Sequence, residues 1–320
     1  MPSKSRQREI RIVILRRSRL APSPTGALHL GNACSFMINW ALARKNNWGL
    51  ILRMEDLVGP RIDIKSIENT ISTLTWLGLD WDGEMKLQSN DLVPYNDGLY
   101  ALIAKNCVYH CNLTRKEIEQ AARAPHLDDP FGKKQIRPED IRSHNKDWDR
   151  SSTNWRFIVQ DNSCKIRDEL YGEITYEELN DFIIWTKNDM PAYQLAVVID
   201  DARQGVTDVV RGHDLLESAA WQAQIYATLD LEEPRWWHLP LVVGEDGRRL
   251  AKRHGDTRLQ TYHQSGMRAE KVIGLLGKWC EVTSSLIELT TREFLDGFDI
   301  RNVSTEDIVY TKEDERWLRG

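Results

Sequence analysis

One string of fourteen residues, Arg19-Leu20-Ala21-Pro22-Ser23-Pro24-Thr25-Gly26-Ala27-Leu28-His29-Leu30-Gly31-Asn32, collects residue types suited to holding a phosphate. The prolines fix a turn, and Gly26 and Gly31 allow backbone to come close to a ligand. His29, Gly31 and Asn32 stand where a helix would begin, and free amides at a helix start attract anions. A second string lies far downstream, Gly247-Arg248-Arg249-Leu250-Ala251-Lys252-Arg253-His254. A lysine on a loop of this kind can follow negative charge as it builds on phosphates during a displacement. Taken singly, the first string reads as a structural link with a surface histidine and the second as a solvated charge run. Their pairing points to nucleotide chemistry.

The elements that must position these residues read as an α/β chain with a mainly parallel sheet, because apolar runs of strand length alternate with helical periodicity. A first strand ends near Ala21, and the proline-rich string connects it to a helix over 32–45. Ligands bind at such junctions, outside the carboxyl ends of the strands. A strand over 49–54 and a helix over 66–77 follow, and the pattern returns with strands over 193–199 and 206–210 and a helix over 215–229. Asp200-Asp201 then reads as a strand-ending turn rather than a metal site. The polar stretch between, with a strand-like piece over 155–159, looks like an insertion that splits one nucleotide-binding sheet. This gives four parts: 1–80 with a basic arm over 1–18, an inserted α+β domain over 81–190, the second half of the sheet over 191–265, and a helical segment over 266–320 with helices over 271–279 and 291–298.

Composition narrows the classes further. With 320 residues, 41% hydrophobic and 28% charged, the chain is that of an ordinary globule and not a disordered one. It has no apolar run of about 18 residues that could span a membrane, and its N-terminus has no apolar core of signal-peptide length. Five scattered cysteines fit reduced thiols and a cytoplasmic location. A net charge of -5 argues against a protein that coats nucleic acid indiscriminately. Residues 4–19 nevertheless hold seven basic groups against the single Glu9, an arm that could hold RNA phosphates or simply be an unstructured tail.

Here the chain resembles the class I aminoacyl-tRNA synthetases of the glutamate type. His29-Leu30-Gly31-Asn32 stands where that family has its HIGH signature, with Asn replacing the last histidine. Gly247–His254 is similar to the KMSKS loop, with Arg249, Leu250, Ala251, Lys252 and Arg253 as its ATP-facing stretch. The resemblance implies a Rossmann-like catalytic domain split by an insertion, ATP as substrate together with Mg2+, and catalytic roles for His29, Gly31, Asn32 and Lys252. It implies a glutamate pocket made of Arg19, Leu20, Ala21, Pro22, Ser23, Glu55, Tyr193 and Arg211, the last three within Leu52-Arg53-Met54-Glu55-Asp56, Pro191-Ala192-Tyr193-Gln194 and Val209-Val210-Arg211-Gly212. Arginines can grip a carboxylate in a fork, Glu55 can pair with an α-ammonium, and Tyr193 can supply a hydroxyl and a ring wall. Two arginines suit an acidic amino acid better than a neutral one. Relatives often carry zinc in the insertion. Here Leu113 breaks the Cys-x-Cys pattern, and Cys107, His110, Cys111 and His126 make a poor substitute for a closed site.

Length places the chain nearest a shortened branch of the family. It carries helices like the stem-contact segment over 268–280 and 289–318 and nothing like the anticodon-binding region beyond. That branch esterifies glutamate to the modified base queuosine in the anticodon loop of tRNA(Asp), so the expected partners are that tRNA, L-glutamate and ATP, with the protein acting as a monomer off the membrane. Two other readings stay open: a truncated synthetase that charges a tRNA 3′-terminal adenosine, and an ATP-binding regulatory module without aminoacyl transfer.

Overall fold

A computed structural model describes residues 15–24, 28–57, 64–111, 153–248, 250 and 257–319. In chain order the described elements begin with β1 (Arg17–Leu20), α1 (Leu30–Lys45), β2 (Gly49–Met54), α2 (Ile64–Trp76), β3 (Lys86–Leu87), α3 (Val93–Ala104) and β4 (Val108–Cys111). They continue with β5 (Asn154–Phe157), β6 (Cys164–Asp168), β7 (Gly172–Tyr176), β8 (Phe182–Thr186), β9 (Met190–Pro191), α4 (Tyr193–Arg203), β10 (Asp208–Gly212) and α5 (Leu216–Thr228). The remainder is β11 (Arg235–Leu239), β12 (Val242–Gly244), α6 (Leu259–Gln264), α7 (Ala269–Trp279), α8 (Thr291–Gly297), β13 (Ile308–Tyr310) and α9 (Lys312–Arg319).

The sheet is parallel where the site lies. β1 pairs with β2 and β2 with β3, all parallel, and β10 runs parallel to β11. The two groups meet where the Thr207 amide donates to the Arg17 carbonyl at 2.9 Å and the Arg17 amide donates to Thr207 Oγ1 at 2.9 Å. β11 also meets β6, which forms an antiparallel pair with β7. A separate antiparallel sheet runs in the order β4-β5-β8-β9.

Helix α1 is apolar nearly all round, with Leu30, Ala33, Met37, Ile38 and Ala41 without solvent exposure, because it is covered on more than one side. Asn39 fixes it to β1: its Oδ1 accepts from Ser18 Oγ at 2.8 Å and its Nδ2 donates to the Arg19 carbonyl at 3.0 Å. Those two bonds hold the end of β1 and the start of the phosphate-suited string in register with the helix.

Three expectations need correction. The run 193–199 is helical, as the start of α4, where a strand was expected. A short apolar run cannot be separated from a buried helical turn by periodicity, and α4 is buried because it packs against α3, α5 and β8. Asp200 and Asp201 therefore end a helix and do not form a turn after a strand. Both are fully buried at the helix end least suited to anions, where arginines compensate them. Second, the basic arm does not extend to residue 18. Arg16 pairs with the buried Asp208 and lies over the Trp48 ring at 3.9 Å, while Arg17 and Ser18 belong to β1. Residues 1–14 lie outside the described residues. Third, the C-terminal segment is not purely helical, since β13 pairs in parallel with β12. A three-residue strand is too short to show a period.

The C-terminal helices also complete the core around α1, for Phe294, Phe298 and Leu318 share one apolar cluster with Leu20, Met37 and Leu50. Gly78, with a φ of +72°, marks this joint: a Cβ there would lie 2.3 Å from Thr291 Oγ1, which instead donates to the Leu77 carbonyl. A second cluster, including Tyr95, Phe157, Trp185, Leu195, Ile225 and Trp236, joins the antiparallel sheet to α4 and α5.

Candidate active site

His29 is the N-cap of α1. Its Nδ1 accepts the Gly31 amide at 3.1 Å, and Asn32 Oδ1 accepts the His29 amide at 3.0 Å. The two polar residues of the string thus cap the helix reciprocally. That leaves the amide nitrogen of Asn32 as the side-chain end available to a ligand. Gly31 is pressed close to the imidazole, since a Cβ there would sit 3.0 Å from His29 Cε1.

The second basic string emerges beside this cap. On the far side of the loop, the Leu30 amide donates to the Thr257 carbonyl at 3.1 Å, and the Leu259 amide donates to the Leu28 carbonyl at 2.8 Å. On the near side, the Gly244 amide donates to the Arg248 carbonyl at 2.8 Å, and Leu250 is buried in the same core as α1. The far end of the loop is therefore anchored next to His29, and the near end in the core around α1. Arg249, Ala251, Lys252 and Arg253 themselves lie outside the described residues.

A cleft of about 580 Å³ opens in front of the cap, lined by Arg19, Ala21, Pro22, Ser23, His29, Gly31, Asn32, Glu55, Tyr193 and Arg211 among others. Ten of the residues singled out in the sequence thus share one cavity although they come from β1 and the segment after it, the start of α1, the residue after β2, α4 and β10. Leu20 does not line it, because it points into the core with no exposure. Gly212 is required at the rim, where a Cβ would lie 2.5 Å from Asp214 Oδ1 and 2.9 Å from Leu241 Cδ2.

One wall is an ionic cluster. Arg19 Nε donates to Asp201 Oδ1 at 3.2 Å, and Arg53 donates to Asp201 Oδ1 at 2.7 Å and to Glu55 Oε1 at 3.2 Å. Asp200 behind them accepts from Arg203 Nε at 2.8 Å, Gln88 Nε2 at 2.7 Å and the Tyr95 hydroxyl. Burial pushes the Asp201 carboxyl up, but Arg53 and Arg19 outweigh it and hold it below the usual carboxylate range. For Glu55 burial wins over Arg53 and Arg19, and its pKa is raised. Burial raises Tyr193 as well, against the pull of Arg211.

The opposite wall is different. Arg211 is buried, and each group it touches is neutral: His238 Nε2 accepts from Nε at 3.1 Å, Gln222 Oε1 from Nη1 at 2.8 Å, and the Leu215 carbonyl from Nη2 at 3.2 Å. Its guanidinium lies over the Trp236 ring at 4.9 Å. Burial lowers its pKa, with Tyr193 and Asp201 pulling the other way and the positive charge of Arg19 adding to the lowering. Gln222 is held in turn by Gln194 at 2.7 Å. Among the described residues no carboxylate touches this buried cation, which faces a cleft.

The sequence reading missed Asp201, His238, Asp168 and Gln222. A buried carboxylate within a helix gives no sequence signal by itself. Of the zinc candidates, Cys107 and Cys111 are buried, and His110 Nδ1 meets Thr153 Oγ1 at 3.0 Å under the Trp155 ring. His126 lies outside the described residues. Among the described residues no group of three or more His, Cys, Asp or Glu side chains converges as metal ligands would, none of the five cysteines is in a disulfide, and no helix is long and apolar enough to cross a membrane.

A parallel sheet with a capped helix and a charged cleft beside it is the α/β arrangement in which ligands bind outside the carboxyl ends of the strands. The family model for tRNA synthetases class I (E and Q), catalytic domain, matches residues 16–314, and the chain belongs to that family. It is accordingly an adenylate-forming ligase of the glutamyl-tRNA synthetase-like kind, a class that uses ATP as substrate. It is 41% identical over 283 residues to a glutamyl-Q tRNA(Asp) synthetase of Rhodopirellula baltica, with 84% of each chain covered. It is 33% identical over 320 residues to a glutamate–tRNA ligase of Citrifermentans bemidjiense, covering 95% of this chain and 65% of that one. The fold is shared with a glutamate tRNA ligase from Elizabethkingia meningosepticum, at a TM-score of 0.75 and 23% identity over 95% of this chain and 68% of that one.

Proposed function

We propose that the chain activates L-glutamate with ATP and transfers it to the queuosine base of tRNA(Asp). The observation that carries the amino-acid choice is Arg211, a buried guanidinium with neutral partners only, in the same cleft as Arg19 and Glu55. An anionic side chain supplies the missing counter-charge, and a neutral one does not. Glu55 receives the α-ammonium and Tyr193 closes the pocket beside it. The α-carboxylate has to stay nucleophilic, so the receptor arginine holds the other carboxylate of the substrate.

In the first step an oxygen of the glutamate α-carboxylate forms a bond to the α-phosphorus of ATP, and pyrophosphate leaves. The start of α1, with His29, Gly31 and Asn32, faces the phosphates, and Lys252 on the basic loop offsets the charge that builds on the departing groups. A magnesium ion accompanies the phosphates as part of the substrate. In the second step a hydroxyl of the queuosine cyclopentene ring attacks the mixed anhydride, the glutamyl ester forms, and AMP leaves. The anhydride is already activated, so no side chain has to become a covalent intermediate.

Support for queuosine as the acceptor comes from likeness: 41% identity to a protein named for that acceptor, against 33% to a glutamate–tRNA ligase. The test uses labelled glutamate, ATP and three RNA substrates: tRNA(Asp) bearing queuosine, the same RNA after enzymatic removal of its CCA end, and tRNA(Asp) without the modification. The account expects label on the first two and none on the third. Label that needs the CCA end and ignores queuosine would establish instead a synthetase that charges the terminal adenosine. The working place of such a protein is the cytoplasm, where its tRNA and ATP are found.

A further inference from the structure

We propose that His238 and Asp168 act as a positioning relay that aims Arg211 into the cleft and thereby sets its preference for glutamate over glutamine. The inference rests on the reading of Arg211 as the receptor for the substrate's side-chain carboxylate. His238 is fully buried on β11, and Arg211 is its direct register partner on β10. Asp168 ends β6 on the other side of β11. The three side chains therefore form a row across three neighbouring strands, from the cleft into the sheet.

The hydrogen bonds give the row a direction. Arg211 Nε can only donate, so His238 Nε2, 3.1 Å away, must accept and carries no proton. The proton of the neutral ring is then on Nδ1, 2.7 Å from Asp168 Oδ2. Asp168 is itself fixed by backbone: its oxygens accept the amides of His238 at 3.0 Å and of Leu170 and Tyr171 at 2.9 Å each. Burial acts to raise the Asp168 pKa, but the His238 N–H and those amides outweigh it, which keeps the carboxylate ionised.

The geometry resolves a conflict of roles. A carboxylate bonded straight to Arg211 would balance its charge but occupy the N–H groups that a substrate needs. Placed one imidazole away, Asp168 fixes the ring that accepts from Arg211 Nε and leaves those groups in place. Arg211 has five N–H donors, and three go to His238, Gln222 and the Leu215 carbonyl. The remaining two are the number that a bidentate carboxylate takes up.

Glutamate-dependent ATP–pyrophosphate exchange tests the relay. His238→Leu removes the acceptor for Arg211 Nε and should raise KM for glutamate roughly ten- to a hundredfold, the scale of an orphaned buried donor. The KM for ATP should stay as it was, and the glutamate-to-glutamine ratio of kcat/KM should fall at least about tenfold. His238→Gln, whose Oε1 can accept in place of Nε2, should recover most of the loss. Unchanged glutamate KM in His238→Leu, with Arg211→Gln severely impaired, would overturn the relay and leave the receptor reading standing. Unchanged glutamate KM in Arg211→Gln as well would overturn the receptor reading itself. Nitrogen-15 shifts of the wild-type ring give a readout that does not depend on a variant folding. A neutral ring protonated at Nδ1 is expected, and a ring protonated at Nε2 would overturn the proposal.

Discussion

The two walls of the cleft both present buried arginines, and they use them in opposite ways. On the β1–β2 side, Arg19, Arg53 and Arg203 face Asp201, Glu55 and Asp200, three cations against three carboxylates in one ionic cluster, joined where Arg53 Nε lies 3.8 Å from Asp200 Oδ2. On the β10–β11 side, the hydrogen-bond partners of Arg211 among the described residues are all neutral groups. A buried charge with its counter-ion in place is scaffold, and removing either partner leaves the other uncompensated. A buried charge whose counter-ion is missing has a vacancy for a ligand. Residue type and burial alone do not separate the two cases, because Arg53 and Arg211 are alike in both.

The sharpest way to break this comparison is Asp201→Asn. It removes the carboxylate shared by two buried guanidiniums, Arg19 and Arg53, and should cost about 3–5 kcal/mol of folding stability, measured by urea denaturation without substrate. Arg211→Gln should leave stability within about 1 kcal/mol of wild type and yet raise KM for glutamate by two to three powers of ten, the scale of a buried charge pair lost from an interface. If both variants lose stability alike, the walls are not different in kind. Lys252→Ala tests the phosphate side of the reaction. It should slow pyrophosphate exchange by about two powers of ten with glutamate KM little changed, which separates charge building on phosphate from amino-acid binding.

The smallest effect concerns His238, behind the second wall. Burial lowers its pKa despite Asp168, so the unfolded chain takes up its proton at a higher pH than the folded one. The stability it contributes is then complete above the ordinary histidine value of about 6.5 and declines as pH falls below it, by at most about 1.4 kcal/mol per pH unit. His238→Gln should flatten that decline, and an identical acid profile in both proteins would contradict the buried neutral ring.

Much of the cleft was legible in the sequence because loops at strand ends carry their chemistry in local order. His29, Gly31 and Asn32 are close along the chain, and so are the residues of the basic string. Helix α1, with basic residues in its last turn, was also readable from its length and pattern. The ionic cluster was not, since it joins residues from β1, β2 and α4 that are far apart in sequence. Reading 193–199 as a strand hid the point that Asp201 faces Arg19. His238 gave no signal because it sits in an apolar strand, where a histidine has no distinguishing spacing. Asp168 lies in a stretch assigned to the insertion, and only the pairing of β6 with β11 brings it to Arg211.

The most direct test of an anion-selecting cleft is ATP–pyrophosphate exchange by the wild-type protein with each amino acid in turn. Exchange with glutamate and at least about a hundredfold lower kcat/KM with glutamine is the predicted result, the discrimination expected when a site's buried polar groups lose their partner. Equal exchange with glutamine would show that Arg211 does not read the substrate's charge.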